Sequence, residues 1–291
     1  MSEPAVSVIV PCYNGGRFLD DLCASLAAQT FRDFETIIID DGSTEEATRR
    51  KLASLEPSIR VLHQENRRMA AARNAGFRAA RAEFVMPLDC DDRLDPSFLA
   101  ETIAVLRNAP PEVGFVFAHM RLVGDMDGVM PRHFNCFDQL FLNQLPYCML
   151  IRRSAWDLAG GEDETMHDGG EDWEFSIRLL RAGFRGVEIA KPLLIYRVSL
   201  DGMLMNRTAR RHGTIWRYIR AKHRDLYRLP ALVAAWRANR AAPGKIAPLK
   251  AAGLLGLAKL LPESLFNRLF YRLLTATRAR RVERGEYQAT P

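Results

Sequence analysis

Val6-Ser7-Val8-Ile9-Val10-Pro11-Cys12-Tyr13-Asn14-Gly15-Gly16 opens the chain with β-branched residues, stops at a proline and turns through a polar, glycine-bearing loop. Short and continuously apolar, the run reads as a strand buried on both faces, as in a parallel sheet. The turn after it lacks G-x-G-x-x-G spacing, which argues against a dinucleotide redox enzyme. Working outward, Phe18–Gln29 has helical spacing, Glu35–Ile39 is strand-like, and Thr44–Leu55 reads as a helix with Ser43 as its cap. Ile59–His63 is a third strand, Met69–Arg81 an Ala-rich helix, Phe84–Leu88 a fourth strand, and Pro96–Arg107 a helix with proline at its start. This β-α-β-α rhythm predicts an α/β fold with a mostly parallel central sheet and helices on both faces. Val113–Ala118 is a further strand, residues 124–145 are irregular, Glu171–Ala182 is a helix stopped by Gly183, and Val187–Ile189 and Leu193–Tyr196 are short final strands.

The chain has 291 residues, 48% of them hydrophobic and 26% charged, the composition of a soluble globular protein. Five scattered cysteines form no close-spaced metal pattern and fit a reducing compartment. The N-terminus leads directly into the first strand without a secretory pattern, and no apolar run is long enough to cross a bilayer. A cytoplasmic protein is therefore expected. The net charge of +6 hides an asymmetry: Lys and Arg number 19 and Asp and Glu 4 from residue 203 onward, against 22 and 31 before it. An acidic body suited to holding a cation thus carries a basic tail suited to an anionic surface.

In a parallel α/β sheet, ligands sit beyond the carboxyl ends of the strands. The polar clusters fall there. Asp89-Cys90-Asp91-Asp92 follows the fourth strand. Carboxylates so close repel one another unless a cation lies between them, and a divalent ion bridging a diphosphate would supply that charge; the other reading is an acidic loop with Asp92 or Asp95 capping the next helix. Asp40-Asp41-Gly42-Ser43 follows the second strand and reads either as a tight turn or as a hydrogen-bond acceptor for a base or ribose. Gly169-Gly170-Glu171-Asp172-Trp173 opens a helix, where acids suit the dipole; at a crevice, one of them can instead act as general base toward an acceptor hydroxyl. Arg67, Arg68 and Arg73 are either phosphate contacts or solvated helix positions.

Taken together, Val6 to Asn14, Gln29-Thr30-Phe31, Asp40 to Thr44, Ala71-Ala72-Arg73-Asn74-Ala75-Gly76, Asp89 to Asp92 and Glu171-Asp172-Trp173 resemble, in order and spacing, glycosyltransferase family 2 over about residues 5–200. The resemblance implies a GT-A fold, a Rossmann-like sandwich, and transfer with inversion at the anomeric carbon. It implies a hexosyl- or N-acetylhexosaminyltransferase using a UDP- or dTDP-sugar donor and a glycan or lipid-linked acceptor of the cell envelope. Pro11, Tyr13, Asn14, Asp41, Arg73 and Asp89 would bind the nucleotide. Asp89 and Asp91 match the family's DxD motif, with Asp91 the ligand of a Mn²⁺ or Mg²⁺ ion and Asp89 contacting ribose or metal. Asp172 would be the catalytic base and Glu171 its support. Many relatives carry Tyr-Arg-x-His after the last strand; here the run is Tyr196-Arg197-Val198-Ser199, which leaves Arg197 as a candidate to neutralise the diphosphate. A nucleotidyltransferase is disfavoured by the absence of its basic glycine-rich loop. A non-catalytic nucleotide-sugar-binding or membrane-scaffold protein on the same fold is the alternative, although such a protein would be expected to have lost Asp91 or Asp172.

The expected division is a catalytic domain over residues 1–202 and a helical basic extension over 203–291. After Pro262-Glu263, the residues Leu265, Phe266, Leu269, Phe270, Leu273 and Leu274 form one stripe, followed by Arg278, Arg280 and Arg281. This reads either as a helix packed on the main domain or as an interfacial helix on an anionic membrane, which would make the protein peripheral at the inner face of the cell membrane. No nucleic-acid-reading motif is present, and no nucleic acid partner is expected.

Overall fold

The computed structural model describes residues 3–199, 209–242, 246–272 and 287–289. Four strands, β1 (Val6–Cys12), β2 (Phe34–Asp40), β3 (Ile59–His63) and β4 (Phe84–Pro87), form the parallel half of one sheet in the order β4-β1-β2-β3. Alternation along β1 explains the layering. Val6, Val8 and Val10 face one apolar cluster with α1 (Leu19–Ala27) and α4 (Phe98–Asn108), while Ile9 faces another with Ala72 and Phe77 of α3 (Arg68–Ala79). Gly76 lets α3 lie flush on the sheet, because a Cβ there would meet Ile9 Cγ2 at 2.1 Å. The helix α2 (Glu46–Ala53) connects β2 to β3 and buries Leu52.

The other half of the sheet is mixed. The two-residue β5 (Arg93–Leu94) precedes α4, and then come β6 (Val113–Gly124), β7 (Met126–Met130), a short α5 (Cys136–Gln139), β8 (Leu150–Arg152), α6 (Arg153–Ala159), α7 (Glu171–Arg181) and β9 (Arg185–Val198). β8 inserts antiparallel between β4 and β6, and β9 runs parallel along β6 while pairing with β5. The two short final strands expected from sequence are thus one strand, irregular opposite Ala118–Met120, where its period-2 pattern is broken. The supposedly irregular 124–145 region contains the β6–β7 hairpin and α5. Ser43 does not cap α2, which begins at Glu46 without a side-chain cap; Asn14 instead holds the turn before it, its Oδ1 accepting from the Thr44 and Glu45 N–H groups at 2.8 and 3.0 Å. Asp95 accepts from Ser97 N in the turn before α4, as one sequence reading had it.

The next described elements are α8 (Ala209–Lys222), α9 (Leu229–Ala238), α10 (Pro248–Leu260), a helical stretch over 263–272, and a last strand β10 (Tyr287–Ala289) that pairs antiparallel with β7. Trp216, Ile215, Leu232, Phe266 and Phe270 share a core with Phe137, Phe141, Trp173 and Ile177. His212 is sandwiched between the rings of Trp173 and Phe270, at 5.0 and 4.5 Å between centroids, and burial pushes its pKa down to about 4. The described basic helices are therefore packed on α5 and α7, as one of the two sequence readings expected. Leu273, Leu274, Arg278, Arg280 and Arg281 lie outside the described residues.

Candidate active site

The loops after β1, β2 and β4, the start of α7 and the end of β9 line a cleft of about 830 Å³ at the carboxyl ends of the parallel strands. Pro11, Tyr13, Asn14 and Asp41 line it from the first two strands, and Asp89 and Asp91 from the fourth. Tyr13 is half exposed, with a ring face free for a planar ligand. Glu171, Arg197 and Ser199 line it as well.

Asp41 is the organiser of this end. Its Oδ1 accepts from Gln64 Nε2 at 2.7 Å and Arg67 N at 2.9 Å, and its Oδ2 from Arg68 N at 2.8 Å. The carboxylate thus satisfies donors at the head of α3, where the helix leaves them unpaired. Asn14, in a left-handed conformation (φ 53°), ties the β1 loop to the β2 loop through Ser43 and Thr44.

Arg73 and Asp172 are not among the lining residues, although their neighbours Ala72 and Glu171 are. Arg73 is buried beneath the Tyr147 ring, its guanidinium 5.0 Å from the centroid, and turns toward carboxylates: Asp89 at 2.7 Å, Glu162 at 3.3 Å and Glu171 at 3.4 Å. Burial opposes its charge, but the three carboxylates hold it firmly protonated. Asp172 Oδ2 accepts from Asn143 Nδ2 at 2.8 Å and Oδ1 from Trp173 N at 2.8 Å. The acidic loop is braced from below. Tyr147 Oη donates to Asp92 Oδ2 at 2.6 Å and accepts from Asp89 N at 2.9 Å, and Arg197 donates its backbone N–H to Asp92 Oδ1 at 2.7 Å and its Nε–H to the Asp91 carbonyl at 3.0 Å.

Sequence reading missed Tyr147, Asn143 and Glu162. Asn143 lies within the stretch read as irregular, and Tyr147 just beyond it. Glu162 follows Gly160-Gly161, both left-handed, and that glycine pair was the available sign of a sharp turn delivering a side chain.

A family model for glycosyl transferase family 2 matches residues 7–157, just over half of the chain. This chain belongs to glycosyl transferase family 2. The chain is similar to the putative glycosyltransferase EpsH of Bacillus subtilis, 35% identical over 121 residues, which cover 41% of this chain and 34% of that protein. Glycosyltransferase GlyG of Streptococcus pneumoniae is 40% identical over 95 residues, covering 32% and 31%. The chain therefore matches about a third of the length of these relatives. In fold it is similar to S. aureus TarS 1-349 solved with UDP-GlcNAc (TM-score 0.61, 18% identity, 94% of this chain and 92% of that one). It is similar also to the mannosyltransferase PcManGT of Pyrobaculum calidifontis, solved with GDP-Man and Mn²⁺ (TM-score 0.57, 20% identity, 94% and 87%). The mixed curled sheet is the GT-A fold of these neighbours.

Within this family 2 fold the carboxyls around Arg73 and in the acidic loop outnumber the cations paired with them. Burial, and then Asp89, push the Asp91 carboxyl up to about 6, and burial with Asp91 and Asp89 raises Asp92 well above the usual range. Burial raises Glu162 to about 8 and Glu171 to about 7, with Arg73 pulling the other way at both. One guanidinium is shared by three carboxyls. Two oxygen-donor carboxylates on the cleft wall, Asp89 paired with Arg73 and Asp91 raised by burial and by Asp89, suit a hard divalent cation such as Mn²⁺ or Mg²⁺. Asp89 and Asp91 would hold it.

Proposed function

We propose that the chain is an inverting glycosyltransferase that moves a sugar from a nucleoside-diphosphate sugar, of UDP or dTDP type, to a hydroxyl of a glycan or lipid-linked acceptor. The observation that carries this reading is the acidic lining of the cleft: Asp41, Asp89, Asp91 and Glu171 line one cavity, and burial together with the neighbouring Asp89 pushes Asp91 up to about 6. A donor and its cation together match that lining. The catalytic unit in this reading spans residues 1–202, with 203–291 as its helical extension.

Pro11 and Tyr13 offer an apolar wall and an exposed ring to the base, Asn14 fixes the loop that carries them, and Asp41 presents its carboxylate to the base edge. Asp89, held by Arg73, faces the ribose. Asp91, with Asp89, would hold the divalent ion, whose positive charge stabilises the diphosphate leaving group. Ser199 stands where many relatives carry His, and the Arg197 guanidinium contributes charge that Ser199 does not. Asp172 is the general base in this proposal. Asn143 orients its Oδ2, and Glu171, locked to Arg73, shapes the acceptor side. The base takes the acceptor proton while the oxygen attacks the anomeric carbon from the face opposite the diphosphate, so one displacement inverts that carbon.

The test is a thermal-shift panel of nucleotide sugars with and without Mn²⁺. A rise in Tm for one donor class that needs the cation supports the reading. No rise with any nucleotide sugar would remove it, and binding without metal-dependent donor hydrolysis would leave only the non-catalytic alternative.

The extension also supports membrane association, through a different face from the stripe read in the sequence, since Phe266 and Phe270 are buried. On α10, Ala251 and Ala258 face the core, while Leu249, Ala252, Gly253, Leu257 and Leu260 are exposed. At 100° per residue these five span one arc, bounded by Lys250 on one side and Lys259 on the other. Leu265 and Leu269, with Arg268 and Arg272, continue the pattern on the next helix. An apolar arc flanked by cations fits the plane of an anionic bilayer surface. Among the described residues no helix is long and apolar enough to cross a membrane.

A further inference from the structure

Behind the wall of the cleft, a second set of ligating side chains converges. His119 on β6, Glu188 on β9 and His133 in the loop after β7 place one ligand atom each within 4.8 Å of one another. His119 Nε2 is 2.9 Å from Glu188 Oε1, and His133 Nδ1 is 3.1 Å from the same oxygen and 3.2 Å from Oε2. The two imidazoles meet nearly at right angles, 87°, with centroids 5.5 Å apart, so they approach the carboxylate from separate directions.

We propose that His119, His133 and Glu188 form a binding site for a divalent transition-metal ion of the zinc class, separate from the donor-site cation. The donor set decides the class. Two imidazoles and one carboxylate suit Zn²⁺ or Ni²⁺ and disfavour the hard Mg²⁺, whereas Asp89 and Asp91 offer only oxygen. The nitrogen–oxygen separations are close to the edge of roughly 3.3 Å that a tetrahedron with zinc–ligand bonds of about 2.0 Å would have. Only the imidazole-to-imidazole approach has to adjust, and the half-exposed His133 sits on a loop that can supply the movement. His119 is nearly buried in the sheet, its side chain 10% exposed, while those of Glu188 and His133 are 28% and 38% exposed. The site is thus anchored on one side and open on the other, which gives the ion a route in and leaves its fourth position to water.

The placement gives the ion a structural effect. Met120 and Arg132, the sequence neighbours of His119 and His133, line the cleft, and Arg132 Nε lies 3.1 Å from Met120 Sδ. An ion shared by β6, β9 and the 131–135 loop pins that loop to the sheet and fixes Arg132 at the cleft.

Calorimetric titration of the full chain with Zn²⁺ tests the proposal, using D91N as the background to suppress the donor site. One Zn²⁺ per chain is expected in D91N, with affinity lost by more than the roughly 10–100-fold typical of removing a supporting group once H133A or E188Q is added. Co²⁺ in place of Zn²⁺ should give visible absorption bands of a low-coordinate nitrogen–oxygen site, absent in D91N/H133A. The exposed His133 variant guards against misfolding of the buried His119 one, and circular dichroism verifies each. Unchanged Zn²⁺ affinity in D91N/H133A and D91N/E188Q, or no Zn²⁺ uptake by folded D91N, would overturn the proposal and leave the trio a hydrogen-bonded brace. Neither result depends on nucleotide-sugar binding, so the two readings fail separately.

Discussion

Glu171 and Glu174 lie three residues apart on α7, both buried, and their surroundings treat them oppositely. At the helix start, Glu171 shares Arg73 with Asp89 and Glu162, and burial outweighs that cation, leaving the carboxyl at about 7. One turn on, burial again works to raise Glu174, but hydrogen bonds from His223 at 2.9 Å and Arg178 at 2.9 Å, with Lys222 at 3.0 Å, hold it down at about 2. Two of these three partners belong to the end of α8. The contrast separates two uses of buried charge. The α8 end is neutralised within the chain and works as a clamp between the family 2 fold and its extension. The cleft end is left negative, which costs stability in the free protein and favours a cationic complex.

The largest effect should come from between them. Asp172→Asn keeps the Asn143 contact and removes the basic oxygen, so turnover should fall roughly 10²-fold or more, as for a lost general base, with donor binding nearly unchanged. Steady-state kinetics with a donor-only binding assay would read both. If turnover drops only for Glu171→Gln, the base has been assigned to the wrong one of the two acids.

Glu174→Gln attacks the other side of the comparison. The carboxyl's folded pKa of about 2 lies below its ordinary 4.5, so its stabilisation is full above pH 4.5 and is lost as pH falls toward 2. The difference corresponds to about 3 kcal/mol. Denaturant unfolding should show a loss of that order at pH 7, shrinking in acid, without loss of metal or donor binding. A loss of donor affinity as large as the loss of stability would show that the clamp and the cleft are one unit.

What the sequence carried, and what it did not, divides along similar lines. Strand–helix alternation through Asn108 was legible because each element writes its own period: Val6, Val8 and Val10 against Ile9, or Leu19, Leu22 and Leu26 on α1. The acids of the cleft were legible because they follow strands. Their counter-charges were not. Arg73 lies on a helix whose pattern offers no reason for it to be buried, and Glu162, Tyr147, Lys222 and His223 reach their partners across 48 or more residues of sequence. The final stripe left packing and membrane contact open, and Phe266 and Phe270 belong to the core that Trp216 completes, whereas α10 is apolar on its inward and outward faces alike and so shows no one-sided stripe.

Glu162→Gln tests the sign of the cleft's deficit. Its folded pKa of about 8 is above its ordinary 4.5, so the stability it contributes is full below pH 4.5 and lost as pH rises through 8. The amide mimics the protonated form. Relative to wild type, the variant should gain on the order of 1 kcal/mol at pH 9 and nothing at pH 4, with Mn²⁺ reducing the gain by neutralising the same cleft. Destabilisation that grows with pH would mean that Arg73 compensates all three carboxylates fully, and the argument for a cation-hungry cleft would lose its footing.

The smallest effect concerns the surface beyond the clamp. Glu174 and the core around Trp216 fix α10 with its apolar arc outward, Leu249 at 84% and Leu260 at 80% exposure. Those leucines have no role in packing, so Leu249→Asp with Leu260→Asp should leave Tm nearly unchanged. Each contributes about 1 kcal/mol or more if it enters a bilayer interface, and Lys250 and Lys259 about 1 kcal/mol each near an anionic surface. Sedimentation with anionic vesicles should therefore weaken by roughly tenfold in the double aspartate variant, and more steeply as salt rises in wild type. Glu174→Gln, by loosening the extension, should weaken the same binding only in proportion to its unfolding. Vesicle binding that survives both aspartates but is lost with added salt would assign the attraction to the tail's cations alone and leave the leucine arc without a partner.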